Sequence, residues 1–294
     1  MIGFSFLLLL LLASIANTLF NDGKIRQVQV IYHNGQVVGK APFSPSLKFP
    51  LGTDMNGYDL LHIIIEGAKY TIGVSLIVAL LQIILGGLVG LLLSGYFPKL
   101  FNRLESFLDS FSILPVTLVA YFILVNVLTM PLDGFQQQFY IRALFEMAIL
   151  VGLPLPTVIL YLGKEVTRVL NYEFINASKT LGASTNRILF KHVLKHLWQK
   201  VIILLIQQFN QILIILAHLG LLKMFFAGTM IDHSPIQDPP KTIAYEWSGL
   251  IGNYLGLLYV HPLIVMVPIF FFTLSIICAN MIMKGIEKVY GVYY

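Results

Sequence analysis

The apolar positions of this chain come in long runs and show no alternation. Runs of about 20 residues, the length a helix needs to cross a hydrocarbon layer roughly 30 Å thick, occur six times. They lie near residues 2–20, 70–93, 107–129, 141–162, 201–222 and 262–283. A spanning backbone must satisfy its own hydrogen bonds, so it is either helical or part of a closed barrel. A barrel needs short alternating strands that this sequence lacks. The pattern therefore predicts an all-α integral membrane protein with about six transmembrane helices. Pro115, Pro154, Pro156 and Pro268 fall within the runs and predict bent helices, because neighbouring helices can satisfy the backbone groups that proline frees.

Composition narrows the class further. With 57% hydrophobic and 11% charged residues and a mean hydropathy of +0.82, the chain is too apolar for an ordinary soluble domain. The first run could also be a cleaved signal peptide, since Ala13-Ser14-Ile15-Ala16 resembles a cleavage site. No Lys or Arg precedes its apolar core, so a retained helix is expected. Cys278 is the single cysteine, which excludes an intrachain disulfide.

Positive residues in short loops mark the cytoplasmic side. With six spans, Lys99, Arg103, Lys164, Arg168, Lys179, Arg187, Lys191, Lys195, Lys200, Lys284 and Lys288 share one side with both termini. Lys24, Arg26, Lys40, Lys48, Lys69, Arg142, Lys223 and Lys241 fall on the other. The bias places both termini in the cytoplasm of a multi-pass protein and accounts for the net charge of +5 without any nucleic acid partner. The expected organisation is an N-terminal helix at 1–20, an extracytoplasmic segment at 21–69, and a core at 70–294 with five further helices. That core includes a cytoplasmic loop at 163–200 and an extracytoplasmic loop at 223–261.

One stretch departs from the oily background. Residues 176–196 read NASKTLGASTNRILFKHVLKH, with Lys179, Arg187, Lys191 and Lys195 and no acid. Phe174, Ala177 and Leu181 recur at helical spacing beside the small Ser178. Gly182 interrupts the run, as glycine does when it ends a helix in the left-handed conformation. Ser184 or Thr185 is placed to cap a second helix carrying Ile188, Leu189, Val193 and Leu194 toward the fifth span. The expected shape is helix, tight turn, helix, lying against the inner face of the membrane. By periodicity alone, an amphipathic hairpin gripping anionic lipid fits equally well.

The residues in register favour a more specific assignment. Asn176, Ala177 and Ser178, then Gly182, then His192, Val193, Leu194 and Lys195 resemble the EAA loop of ABC importer permeases, E-A-A, three residues, G and, nine residues later, I-x-L-P. The dipeptide, oligopeptide and nickel branch is closer still. Ala177, Leu181-Gly182-Ala183-Ser184, Arg187-Ile188, Phe190, His192 and Leu194 match its A-A-x-x-L-G-A-S-x-x-R-I-x-F-x-H-x-L-P. The run PLGTDMNGYDLL at 50–61 looks like the P-L-G-T-D-x-x-G-R-D-x-L stretch of the same permeases. Gly67-Ala68 and Ser75-Leu76 continue it, and Glu246-Trp247 resembles their E-W-G element. Departures are Asn176 for glutamate, Ser178 for alanine, Lys195 for proline, Tyr58 for arginine, and a longer segment at 228–242.

The resemblance implies a type I permease-like bundle acting as the C-type subunit of an ATP-driven importer in a bacterial plasma membrane. It implies as partners a homologous second permease, two cytoplasmic ATPases and an extracytoplasmic solute-binding protein docking on 21–69 and 223–261. No G-x-x-x-x-G-K-[ST] occurs, so ATP and Mg belong to the ATPases and this chain is expected to bind no cofactor. Coupling to the ATPase falls on Ala177, Ser178, Leu181, Gly182, Ala183, Ser184 and Arg187. The implied cargo is a short peptide. Nickel or another metal chelate is the alternative cargo, and a non-transporting sensor or assembly subunit is the alternative role.

Other polar residues are weaker pointers. Gln207, Gln211 and His218 share one face of the fifth span, beside Gln208 and Asn210. They are candidates either to line a water-filled path or to bond neighbouring helices. Arg142 and Glu146 have the spacing of a local ion pair. Asp54 and Asp59 are expected to cap the helix leading into the second span. His192 and His196 lack a third ligand, so no metal site is expected. Gly182-x-Ser184 lies outside any span where an intramembrane nucleophile would act.

Overall fold

The computed structural model describes residues 2–33, 36–232 and 239–290. Residues 1, 34–35, 233–238 and 291–294, parts of the expected N-terminal helix, the 21–69 segment, the 223–261 loop and the C-terminal end of the core, lie outside the described residues. Helix α1 (Ile2–Asn21) precedes an antiparallel hairpin of β1 (Val30–His33) and β2 (Gln36–Lys40). Then come α2 (Leu60–Tyr96), α3 (Pro98–Ser110), α4 (Val116–Leu128), α5 (Phe139–Gly152), α6 (Leu155–Leu170), α7 (Glu173–Thr180) and α8 (Thr185–Leu221). A short ladder of β3 (Thr229–Met230) and β4 (Lys241–Thr242), then α9 (Trp247–Tyr254) and α10 (Pro262–Tyr290), complete the order.

Helices α1, α2, α8 and α10 are each long and apolar enough to cross a membrane, and the count rises to six if each bent pair, α3 with α4 and α5 with α6, is one span. The pairs bend by 76° and 43°, and Pro115 and Pro154 stand at the two breaks. Pro268 stays inside α10. The chain is thus an all-α, multi-pass membrane protein, and two of its four span prolines mark the bends.

Two helices are longer than the apolar pattern suggests. α2 starts at Leu60, well before residue 70, because the Asp59 carboxylate caps it, accepting from Leu61 N at 3.0 Å. The end of the 21–69 segment is therefore helix. α8 starts at Thr185, so the second arm of the basic cassette and the fifth span form one continuous helix.

By contacts, the chain divides into two compact units. One comprises Met1–Ser75, Tyr121–Glu146 and Leu213–Ile282; the other comprises Leu76–Ala120, Met147–Ile212 and Met283–Tyr294.

Within the first unit, α1 is fastened to α2 by polar groups on an otherwise apolar helix. Ser14 Oγ donates to Glu66 O at 2.9 Å and accepts from Lys69 N at 3.2 Å. Asn17 Nδ2 donates to Glu66 Oε2 at 2.8 Å, and the Lys69 ammonium pairs with the same carboxylate. The backbone widens into a π-helical turn at Lys69–Gly73, where the Ser14 hydroxyl takes one of its N–H groups. The PLGTDMNGYDLL run folds as a capped turn ahead of α2. Asp54 Oδ1 accepts from Asn56 N and Tyr58 N at 2.9 and 2.8 Å, and Tyr254 donates its hydroxyl to Asp54 Oδ2 at 3.2 Å. Asp59 is thus the helix cap, and Asp54 holds the preceding turn. Arg26 brings a guanidinium to 4.0 Å from Asp59 Oδ2, next to Tyr58, where the resemblance expects arginine.

Trp247 packs on the same stretch of α2. It is fully buried, its backbone N–H donates to Thr71 Oγ1 and its indole Nε1–H to Ile64 O, both at 2.9 Å. Glu246, also buried, accepts from Phe226 N at 2.9 Å and from the Thr242 hydroxyl. The Glu-Trp pair therefore joins three chain segments, and burying the Glu246 carboxyl pushes its pKa up to about 7 despite the bonds from Thr242 and Phe226 that pull it down.

In the second unit, α2 packs closely on α6 through Gly86 and Gly90. A Cβ at Gly90 would lie 3.0 Å from Ile159 O, and one at Gly86 2.6 Å from Val158 Cγ1. Small residues four apart let helices in lipid approach to backbone contact. Phe101, Leu108, Ile159 and Leu160 form one core, and Ile83, Val158, Leu162 and Leu204 another.

Candidate functional site: a helical hairpin on an apolar core

The basic cassette forms a helix–turn–helix in the second unit. Glu173 lies in the first turn of α7 and Lys179 in its last, the arrangement the helix dipole favours. α7 ends at Gly182, φ +83°. Gly182 N donates to Lys179 O and Ala183 N to Ser178 O, both at 3.0 Å, the pair of bonds that defines a Schellman stop with a left-handed glycine. Ser184 then caps α8, its hydroxyl accepting from Arg187 N at 3.4 Å. A π-helical turn at Ile188–Val193 follows, before the helix runs on as the fifth span.

The packing of this hairpin differs from the apolar pattern in sequence. The stripe of Phe174, Ala177 and Leu181 faces outward, with Leu181 88% exposed. The buried contact of α7 is Ile175 instead. On the second arm Ile188, Leu189 and Val193 are buried as expected, while Leu194 is exposed. Ile175, Ile188, Leu189, Val193 and Leu197 form one core with Leu91 of α2 and Val166 and Val169 of α6. Tyr172 and Phe174 lie against His196, with ring centroids 5.5 and 5.8 Å apart, and close the two arms together. Tyr96, at the end of α2, donates its hydroxyl to Asn186.

The outward surface of the hairpin is a shallow concavity lined by Ser178, Leu181, Gly182, Ala183, Arg187 and His192. A Cβ at Gly182 would meet nothing within 4 Å, so the glycine is required there by its backbone angle and not by crowding. All seven residues of the predicted coupling contact lie in this one hairpin, Ala177, Ser184 and Arg187 exposed, and Ser178 and Ala183 half-buried. His192 and His196 serve as aromatic packing partners.

Behind the hairpin sits a residue that the sequence pattern did not single out. Glu165 of α6, 6% exposed, pairs with Lys200 of α8 and, at 2.9 Å, with Arg168. The i,i+3 spacing of Glu165 and Arg168 was visible in sequence, but Lys200 is brought to Glu165 only by the fold.

Gln207, Gln211 and His218 lie along α8, Gln207 and His218 exposed and Gln211 half-buried. Gln207 and Gln211 belong to the second unit and His218 to the first. The neighbouring Gln208 is buried with no hydrogen-bond partner for Oε1. Arg142 and Glu146 do not form the expected ion pair. Glu146 instead accepts from Ala227 N at 2.8 Å, and the Arg142 guanidinium lies 3.4 Å over the Phe135 ring, because the fold brings the Ala227 backbone N–H to the carboxylate.

The chain matches, over residues 82–290, the family described as binding-protein-dependent transport system inner membrane component, and it belongs to that family. It is 27% identical to the peptide transport system permease protein SapC of Haemophilus influenzae, over 87% of this chain and 81% of that protein. It is 25% identical to the di/tripeptide transport system permease protein DppC of Pseudomonas aeruginosa, over 82% and 71%. The inner membrane ABC transporter permease protein YejE of Escherichia coli is 29% identical over 52% of this chain and 41% of its own length. The chain is thus a permease subunit, one component of a larger transport system.

Proposed function

We propose that this permease carries short peptides into a bacterial cell as the C-type subunit of an ATP-driven importer, and that the α7–α8 hairpin is where ATPase subunits drive it. One observation carries the coupling assignment: Leu181 stands 88% exposed at the hairpin turn, ringed by small residues. An apolar side chain held out by a rigid turn is an anchor for a partner's groove. The shared core of the hairpin with α2 and α6 gives a push on α7 a packed route into the spans, and the Glu165–Lys200 pair ties α6 to α8 beside it.

The partners in this reading are a second permease, two cytoplasmic ATPases that use ATP and Mg, and an extracytoplasmic solute-binding protein docking on 21–69 and 223–261. Both chain termini lie in the cytoplasm, and Gln207, Gln211 and His218 line the path. The names of the relatives favour peptides over metal chelates as cargo and transport over a sensor role.

The test is uptake by the complete transporter in vesicles, with binding protein outside and ATP inside. Leu181→Asp lowers uptake by at least ~30-fold, the loss of one interface hot spot of about 2 kcal/mol, while the subunit still inserts in the membrane. Undiminished uptake in that variant removes Leu181 from the coupling contact.

A further inference from the structure

Arg142, in the first turn of α5, is 4% exposed, and its Nε and Nη1 have no hydrogen-bond partner. No ion pair among the described residues includes it. Stacking on Phe135 supplies about 2 kcal/mol or more where water is excluded, set against the several kcal/mol it costs to bury an unpaired cation. Glu146, one turn further along α5, is the natural counter-ion, yet it is held by Ala227 N.

The segment that lies over this guanidinium is strained. Lys223 and Ala227 have φ of +60° and +58°, a conformation that costs about 1–3 kcal/mol at non-glycine positions. Gly228 follows at φ +141°. A Cβ there would lie 3.3 Å from Arg142 Cζ and 2.8 Å from Phe135 Cζ, so this backbone closes tightly over the guanidinium and only glycine fits.

We propose that Arg142 is a carboxylate receptor, and that it takes the C-terminal carboxylate of a cargo peptide when the strained cover Lys223–Gly228 lifts. This rests on the peptide reading above. The planar fork of a guanidinium matches a carboxylate bidentately, and every linear peptide carries that group whatever its side chains. A cation used for docking a protein stays exposed in the free subunit. Arg142 is closed off in the isolated chain, so its ligand enters with a movement of this subunit, as a cargo does.

The test compares uptake of labelled trialanine and trialanine amide by the complete transporter in vesicles, with wild type, Arg142→Gln and Arg142→Lys. The same binding protein serves every variant, so a change in the acid-to-amide ratio reports on the permease alone. Arg142→Gln is expected to lower that ratio by about 10-fold, the loss of charge-assisted hydrogen bonds, and Arg142→Lys to lower it less. If Arg142→Gln does not assemble, the lysine variant, which keeps the charge but not the fork, still shows a lowered ratio. An unchanged ratio, whether or not both rates fall, overturns the proposal and makes Arg142 structural. Failure of the peptide reading itself would show differently, as no uptake of either peptide by wild type.

Discussion

In the α7–α8 hairpin, the bonds that make the turn close within a few residues: Gly182 to Lys179, Ala183 to Ser178, Arg187 to Ser184. Around Trp247 the bonds join residues 176 and 183 positions apart, and Tyr254 reaches Asp54 across 200. The hairpin holds its shape by local chemistry and leaves its tip free, with Leu181 and Arg187 in solvent. The Glu246-Trp247 node buries everything and uses its polar groups to tie distant segments together. A surface meant for a partner can be specified locally, because its shape must survive without that partner. A structural joint is specified from both sides, because neither segment can bury its polar groups alone.

Three changes probe this contrast, beginning with the largest. Trp247→Ala removes a fully buried indole and leaves Ile64 O without its donor beside a cavity, while the backbone bond to Thr71 Oγ1 is kept. It should cost about 3–5 kcal/mol, read as a fall in Tm of the purified subunit in detergent or lipid. A Tm within a degree of wild type would mean that the node does not hold its segments together.

Gly182→Val places a β-branched residue at φ +83°, costing about 1–2 kcal/mol, all of it in the local turn, since no atom crowds that Cβ. Tm should move little while coupled uptake falls, and Gly182→Asn, which tolerates the left-handed conformation, should keep most of the uptake. Equal losses in the two variants would point to side-chain bulk and not backbone angle.

The smallest effect concerns pH. Burial raises Glu246 from 4.5 to about 7, so the folded chain holds this proton more tightly than the unfolded chain does. The resulting stability is fully present below the unfolded value and is lost as pH rises through about 7. Tm should therefore fall between about pH 4.5 and pH 7 and level off above, and Glu246→Gln should flatten that stretch. Asp54, also raised by burial, leaves its own slope in both proteins. A slope unchanged by Glu246→Gln would assign the titration to another group.

The hairpin was largely legible in sequence, down to the role of Gly182 as a left-handed stop and Ser184 as a cap, because both act on backbone within a few residues. Its outward face was not. Phe174, Ala177 and Leu181 read as an apolar stripe ready for burial, and only the placement of Ile175 on the core with Val166, Val169 and Leu197 turned that stripe outward. The i,i+4 spacing of Arg142 and Glu146 likewise suggested an ion pair, and the backbone of Ala227 took the carboxylate instead. Neither outcome can be seen from spacing, since a helix periodicity states which residues share a face but not what that face meets.

The amino-acid sequence by itself determined the class, the runs that span, the prolines that bend them and the turn of the hairpin, since each depends on hydrophobicity or dihedral preference over short range. Only the tertiary structure decided that Lys200 meets Glu165, that Trp247 closes on Thr71 and Ile64, and that Arg142 is buried with no counter-ion among the described residues. Those outcomes depend on which distant segments are brought together, and on where the buried polar groups of each find partners once water is gone.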